Sequence, residues 1–378
     1  MDANEVEYPT EFTKAAAAAN LLGIIFPKKY GGRGMTWTAL MCALEEVCVL
    51  GSGLGCCFSM PSIVGHALNQ FGTEEQKQKY LVPMLAGKLI SAEALTEPQG
   101  GSDFFNIRTR AVKDGDHYIL NGQKRFIVGG MGADYFLLYA KTSPEAPAAA
   151  SITAFIVERG DGIEVKEIYG LHGLHGIGTA RLAMKDTRIP ADRVIGEVDM
   201  GAMVFNAMMI PERLTSAGGC IGLARAALEL AVKYSDRRMA FGKKIRKFQG
   251  VSFQVAESQT GLDAMAAIVN AAARSADRDD ESARRLVSEA KFFSTEKGYQ
   301  IVSSAMQIMG GIAYTNIYPI ERLLRDARIG TIWTGSSEVM KMLIQHETYK
   351  EIIGGKDDKR DIEQDAVAFD HPDEKIYE

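Results

Sequence analysis

The chain has 378 residues, 46% of them hydrophobic, and a formal net charge of −5. That length supports a large core spread over two or three structural units. The acidic balance, with no dense lysine or arginine run, excludes a nucleic-acid surface. No apolar segment approaches the roughly eighteen residues of a membrane span, and the acidic start MDANEVEYPTEF reads as neither a secretory signal nor a transit peptide. Five cysteines and six histidines show no metal-ligand spacing. No metal site is therefore expected, and the thiols point to a reducing, cytoplasmic compartment.

In chain order, residues 11–88 follow a helical period, with Thr73 placed to cap a helix that opens on Glu74 and Glu75. Character changes near Leu95. Residues 118–128 read as two strands joined by a hairpin turn at Asn121-Gly122. Residues 152–157 and 180–184 favour strands, and a turn over 186–190 closes the segment. The helical period returns at Ile210, with a long helix expected over 212–238 and Pro211 at its start. Three more helices are expected over 251–274, 281–309 and 332–349, and long helices with short connections imply an antiparallel bundle. The fold class expected is mostly α with a central β domain. Residues 1–93 form a helical domain, 94–205 an antiparallel β domain, 206–352 a helical bundle and 353–378 a polar tail.

The stretch Thr96-Glu97-Pro98-Gln99-Gly100-Gly101-Ser102-Asp103 has two readings. It is either a surface turn, with proline setting φ and the glycines supplying positive φ, or a loop whose backbone approaches a phosphate or a flat ring closely.

Six motifs in order then resemble the acyl-CoA dehydrogenase family: ALTEPQGGSD, YILNGQKRFIVGG, DTRIP, ERLTSA, RRMAFGKKIRKFQ, and AMQIMGGIAY with ERLLRDARIGTIWTGSSEVM. The resemblance spans roughly residues 20–350. It implies FAD between the β domain and the bundle, an acyl-CoA substrate, an electron-transfer flavoprotein as partner and a homotetramer built as a dimer of dimers. Thr96 and Ser102 match loop hydroxyls that bond the flavin, Ser102 also lying on the substrate side, and Phe126 stands where many members have a tryptophan over the ring. Arg238, Phe241 and Gln249 match the segment reaching a neighbouring subunit's FAD. Gln307, Gly310 and Gly311 match the stretch against the adenosine half, and Ser336 and Glu338 match further FAD contacts.

The family reaction removes a proton beside a thioester carbonyl, which requires a placed carboxylate and donors aimed at the developing enolate oxygen. Where much of the family has the glutamate base, this chain has Thr334, between Trp333 and Gly335. The resemblance to isovaleryl-CoA and long-chain acyl-CoA dehydrogenases instead implies Glu212, directly before Arg213, as base, with the Thr334 backbone N–H in the enolate hole. Arg213 and Trp333 are taken to line the substrate site. Glu212 has a structural alternative, a first-turn acid favoured by the helix dipole. Val128 replaces a threonine that commonly reaches the flavin, and so admits an acyl-CoA oxidase or flavin monooxygenase; Thr334 admits a silent acyl-CoA-binding relative. Glu93 either lines the acyl pocket, serves as a second base, or points to solvent or a salt bridge, the last being favoured. Glu45 either reaches the base of the acyl pocket or forms a structural ion pair. The Glu212 arrangement leans towards a branched, bulky or cyclic acyl group.

Overall fold

The computed structural model describes residue 1 and residues 5–354, so the polar tail expected from 353 lies almost wholly outside the described residues. The N-terminal helices are α1 (Thr10–Ala18), α2 (Trp37–Cys48) and α3 (Ser52–Phe71), then α4 (Glu74–Gln76) and α5 (Val82–Leu85), joined by a π turn over Lys77–Leu81. Thr73 forms a capping box with Gln76, so the start read from its side chain is where the helix begins. The helix through Pro61 starts nine residues before the proline, at Ser52. Burial of nearly all of α3 outweighs the hydrogen bond that Pro61 removes.

The sheet comprises β1 (Ser91–Ala94), β2 (Arg110–Asp114), β3 (His117–Ile127), β4 (Tyr135–Lys141), β5 (Ile152–Glu158), β6 (Glu164–Ile168), β7 (Ala180–Pro190) and β8 (Val194–Ile195). Its order is β6-β7-β3-β2-β4-β5-β8, with β1 added parallel to β4. Most pairings are antiparallel, as expected, but β1 and β2 both pair parallel with β4, which makes the sheet mixed. The hairpin expected at Asn121-Gly122 does not form. β3 runs straight through both residues, the turn lies between Asp114 and His117, and the register against β7 slips between Leu120 and Gly122. The dipeptide is used as a bulge instead, because the Asn121 amide is engaged by Asp186 on β7. Gly122 sits at φ 156°, and a Cβ there would meet the Thr109 hydroxyl at 2.4 Å and its Cα at 2.7 Å.

The C-terminal half holds α6 (Gly201–Arg237), a two-stranded ribbon of β9 (Met239–Ala240) and β10 (Lys243–Lys244), and the helices α7 (Gln249–Asp277), α8 (Ala283–Met309), α9 (Ile320–Arg328) and α10 (Ser337–Ile353). α6 begins eleven residues ahead of the expected start, so Pro211 lies inside it. The Thr215 and Ser216 hydroxyls back-bond to the carbonyls of Pro211 and Glu212, each at 2.8 Å. Val204, Met208 and Met209 of α6 pack with Tyr135, Leu137 and Tyr139 of the sheet, while Leu214 to Leu228 pack with α2, α7 and α8. One helix therefore belongs to both the β domain and the bundle, and Glu212 stands where it passes from one to the other. Gly122→Ala should lower the stability of the FAD-loaded protein by about 2–4 kcal/mol, read by denaturant unfolding.

Candidate active site

Glu212 is not a first-turn acid. It lies in the interior of α6, far from the positive end of the helix dipole, and its carboxyl meets that of Glu93 in a side-chain hydrogen bond. Glu93 is therefore the main correction to the sequence reading: it points neither to solvent nor to a salt bridge. It sits on β1 opposite Leu137 of β4, and two residues further along β4 the Tyr139 hydroxyl donates to Glu93 Oε1 at 3.4 Å. Burial first, then the charge of Glu212, pushes Glu93 well above the usual carboxylate range. Burial raises Glu212 as well, while the hydrogen bond from Glu93 and the charge of Arg213 pull it back. Both carboxyls are raised, so the dyad retains a proton that the two share and titrates as one unit.

The loop carrying position 334 comes to this same face. The Thr334 hydroxyl lies 3.1 Å from that of Ser216, one turn beyond Glu212. Thr334 and Gly335 take φ values of 51° and 91°, a left-handed pair that turns successive backbone groups away from helical directions. Among the described residues no acceptor takes the Thr334 N–H. The Lys291 ammonium on α8 donates to the Gly335 carbonyl at 2.6 Å. Trp333 shares a small apolar cluster with Val128, Leu174 and Ile177, and its buried indole N–H has no partner among the described residues.

The 96–103 loop is tied down by a group to which the sequence reading gave no role. Glu97 forms a buried ion pair with Lys124 of β3 at 2.8 Å and accepts from the Arg108 and Thr109 N–H groups at 2.6 and 3.2 Å. Lys124 also donates to the Leu95 carbonyl at 3.1 Å. Burial pushes the Glu97 carboxyl up, yet Lys124 and these donors hold it below its ordinary value. The Arg125 N–H donates to the Thr96 carbonyl at 2.7 Å, which sets Phe126 beside the loop with a positive φ of 57° and half its ring exposed. Ser102 is exposed at the loop's rim. The inward parity of Tyr118 and Leu120 along β3 was the signal for a core-facing Lys124. Tyr139, in the uniformly apolar run of β4, carried none.

Other expected residues lie elsewhere. Glu45 on α2 pairs with Arg225 at 3.3 Å, thirteen residues along α6 from Glu212; the structural ion pair, not the acyl pocket, is its place. Arg213 is buried against α8, where it donates to Ser288 at 3.3 Å, and burial together with Arg284 brings its guanidinium down to about 10. Ser336 caps α10 and Glu338 stands in that helix's first turn. Gln307, Gly310 and Gly311 are exposed at the end of α8, where a Cβ on either glycine would meet no atom within 4 Å. Arg238, Phe241 and Gln249 are exposed between α6 and α7, and 26 residues of helix put Arg238 about 39 Å from Glu212. One subunit does not bring them together with the dyad.

Models of the acyl-CoA dehydrogenase N-terminal, middle and C-terminal domains match residues 1–88, 92–187 and 199–348. The chain is 37% identical over 346 residues to the 3-(aryl)acrylate reductase of Clostridium sporogenes, covering 91% of both. It is 37% identical over 342 residues to the caffeyl-CoA reductase-Etf complex subunit CarC of Acetobacterium woodii, covering 89% of both. The butyryl-CoA dehydrogenase structure from Megasphaera elsdenii superposes with a TM-score of 0.87 at 32% identity, covering 90% of each chain. The chain belongs to the acyl-CoA dehydrogenase family. It is an FAD-dependent acyl-CoA dehydrogenase, and its residues fit the cofactor: the half-exposed Phe126 face, the unpartnered Trp333 and Thr334 N–H groups and the open glycines at 310 and 311 offer one flat surface, donors and close backbone approach.

Two variants test this arrangement. Lys124→Met leaves the Glu97 carboxylate buried without its partner, and should cost about 3–5 kcal/mol in unfolding free energy. Because the Glu212 pKa is raised, its carboxylate is present above that pKa and lost as pH falls through it. Glu93→Leu removes a donor to that carboxylate, so the acid limb of kcat/KM should move up by about one to two pH units. Glu93→Gln, which retains a donor, should move it less.

Proposed function

We propose that this enzyme interconverts an acyl-CoA thioester and its 2-enoyl-CoA, with Glu212 as the base at the α-carbon. The observation that carries this reading is the Glu212–Glu93 dyad, half-buried beside the loop on which Thr334 replaces the usual carboxylate. When bound, FAD supplies the acceptor for the hydride that leaves the β-carbon. Glu212 takes the α-proton, and burial, which raises its pKa, makes it a stronger base than a free glutamate. Glu93, when it carries the proton the dyad shares, donates a hydrogen bond to the ionised form and limits that rise. The Thr334 N–H, held in a left-handed turn, donates to the thioester oxygen as it gains enolate character. Thr96, Ser102 and Phe126 seat the ring system, and Ser336, Glu338, Gln307, Gly310 and Gly311 lie along the rest of the cofactor.

A bulky, aryl-bearing acyl group is the substrate class this reading favours. A threonine in place of a glutamate leaves more room beside Ser216, and the Clostridium sporogenes and Acetobacterium woodii relatives are named for aryl acrylates and caffeyl-CoA. The second relative's name also supports an electron-transfer flavoprotein as electron partner. Two features support a cytoplasmic homotetramer. The five cysteines are all free, and an apolar groove of about 780 Å³, lined by Phe292, Phe293, Ile344, Tyr349, Ile352 and Ile353, together with the distant Arg238, Phe241 and Gln249, suits contact with further subunits.

Anaerobic mixing with a set of acyl-CoA thioesters should bleach the flavin fastest with 3-phenylpropionyl-CoA or a similar bulky acyl group. Glu212→Gln should keep FAD bound yet lose bleaching by at least about 10³-fold. Full bleaching by that variant would remove Glu212 as base.

A further inference from the structure

The Lys291 side chain is wholly buried, yet its bond goes to a backbone carbonyl and not to a carboxylate. A buried ammonium is costly unless its position matters. Here the acceptor is Gly335, whose amide nitrogen belongs to the peptide unit that follows Thr334. α8 also presents Ser288, one turn before Lys291, to Arg213, the residue after Glu212. One turn after Lys291, Thr295 packs so closely on Gly330 that a Cβ there would meet it at 3.2 Å. One helix face therefore grips both segments of the site, α6 at Arg213 and the 330–335 loop at its two ends.

We propose that Lys291 is a positioning residue for the reaction: by holding the Gly335 carbonyl it locks the left-handed turn that aims the Thr334 N–H at the thioester oxygen. This rests on the placing of the enolate hole at Thr334 but not on the choice of Glu212 as base. The groups facing the ammonium are Cys220 and Arg213 from α6 and Glu338 from α10, with Glu296 on its own helix. Burial brings Lys291 down to about 8, whereas burial pushes the Cys220 thiol up to about 12 and lowers Arg213 only to about 10. Of the cationic and thiol neighbours, Lys291 alone changes charge near pH 8. The ammonium is present below that pH and is lost as pH rises through it.

The probe is acetoacetyl-CoA bound to the FAD-loaded enzyme, since its enolate has an ultraviolet absorbance of its own and forms without turnover. Lys291→Met should keep FAD bound and lower both the enolisation constant and kcat by about 10- to 100-fold, with KM little changed. Lys291→Gln, which keeps a donor without the charge, should fall between Lys291→Met and the wild type. The wild type should lose kcat as pH rises through about 8, a limb absent from Lys291→Met. The acid limb belongs to Glu212 and the limb near pH 8 to Lys291, so an error in the base assignment alters only the first and an error about Lys291 only the second. A folded, FAD-loaded Lys291→Met enzyme that enolises the probe as the wild type does overturns the proposal. If that variant does not fold, a wild-type kcat that stays flat through pH 8 overturns it.

Discussion

The candidate site depends on a buried ion pair beside the Glu93–Glu212 dyad. Glu97 and Lys124 are almost wholly buried, and neither would tolerate that burial without the other. Their contact joins the 96–103 loop to β3. The same lysine holds the Leu95 carbonyl, and the same glutamate gathers the N–H groups of Arg108 and Thr109. Thr96 and Phe126 are thereby brought to one place, and the strand ending at Ala94 is held at a fixed height in the sheet. The Lys124 charge also reaches Glu93, where it works against the upward push of burial.

From there the geometry passes to α6. A helix of 37 residues that packs first on the sheet and then in the bundle has one short stretch that sees both, and Glu212 and Ser216 occupy it. Glu93 arrives from β1 and Thr334 from the loop before α10. Two carboxyls in such a place cannot both carry charge cheaply, so one keeps a proton and the pair behaves as a single titrating unit. A carboxylate at position 334 would have brought a third carboxyl, and a second negative charge, to this face. The threonine found there makes a neutral hydroxyl contact with Ser216 instead.

The sequence errors have specific physical causes. Asn121-Gly122 has the composition of a hairpin turn, but β7 lies alongside β3 and engages the Asn121 amide, so pairing with a remote strand outweighs the local turn preference. Pro211 has the composition of a helix start, but the sheet gives residues 201–210 a surface to pack on, and the helix extends back through the proline. Nothing local to Glu93 indicates that α6 crosses above β1, so its own segment suits solvent or a salt bridge as well. The sequence around Glu45 fits two partners, and only the packing of α2 on α6 selects Arg225.

By itself the sequence determined the helical, β and helical order through its periodicity and the family through its ordered motifs, and the resemblance to that family implied Glu212 and the Thr334 N–H as the groups for the chemistry. Periodicity and motifs are local properties of the chain. Only the tertiary structure decided that Glu93 faces Glu212, that Glu97 needs Lys124 and that Lys291 reaches Gly335. Each joins segments 27 to 119 residues apart, and the proton affinity of a buried group is set by the neighbours that folding brings to it.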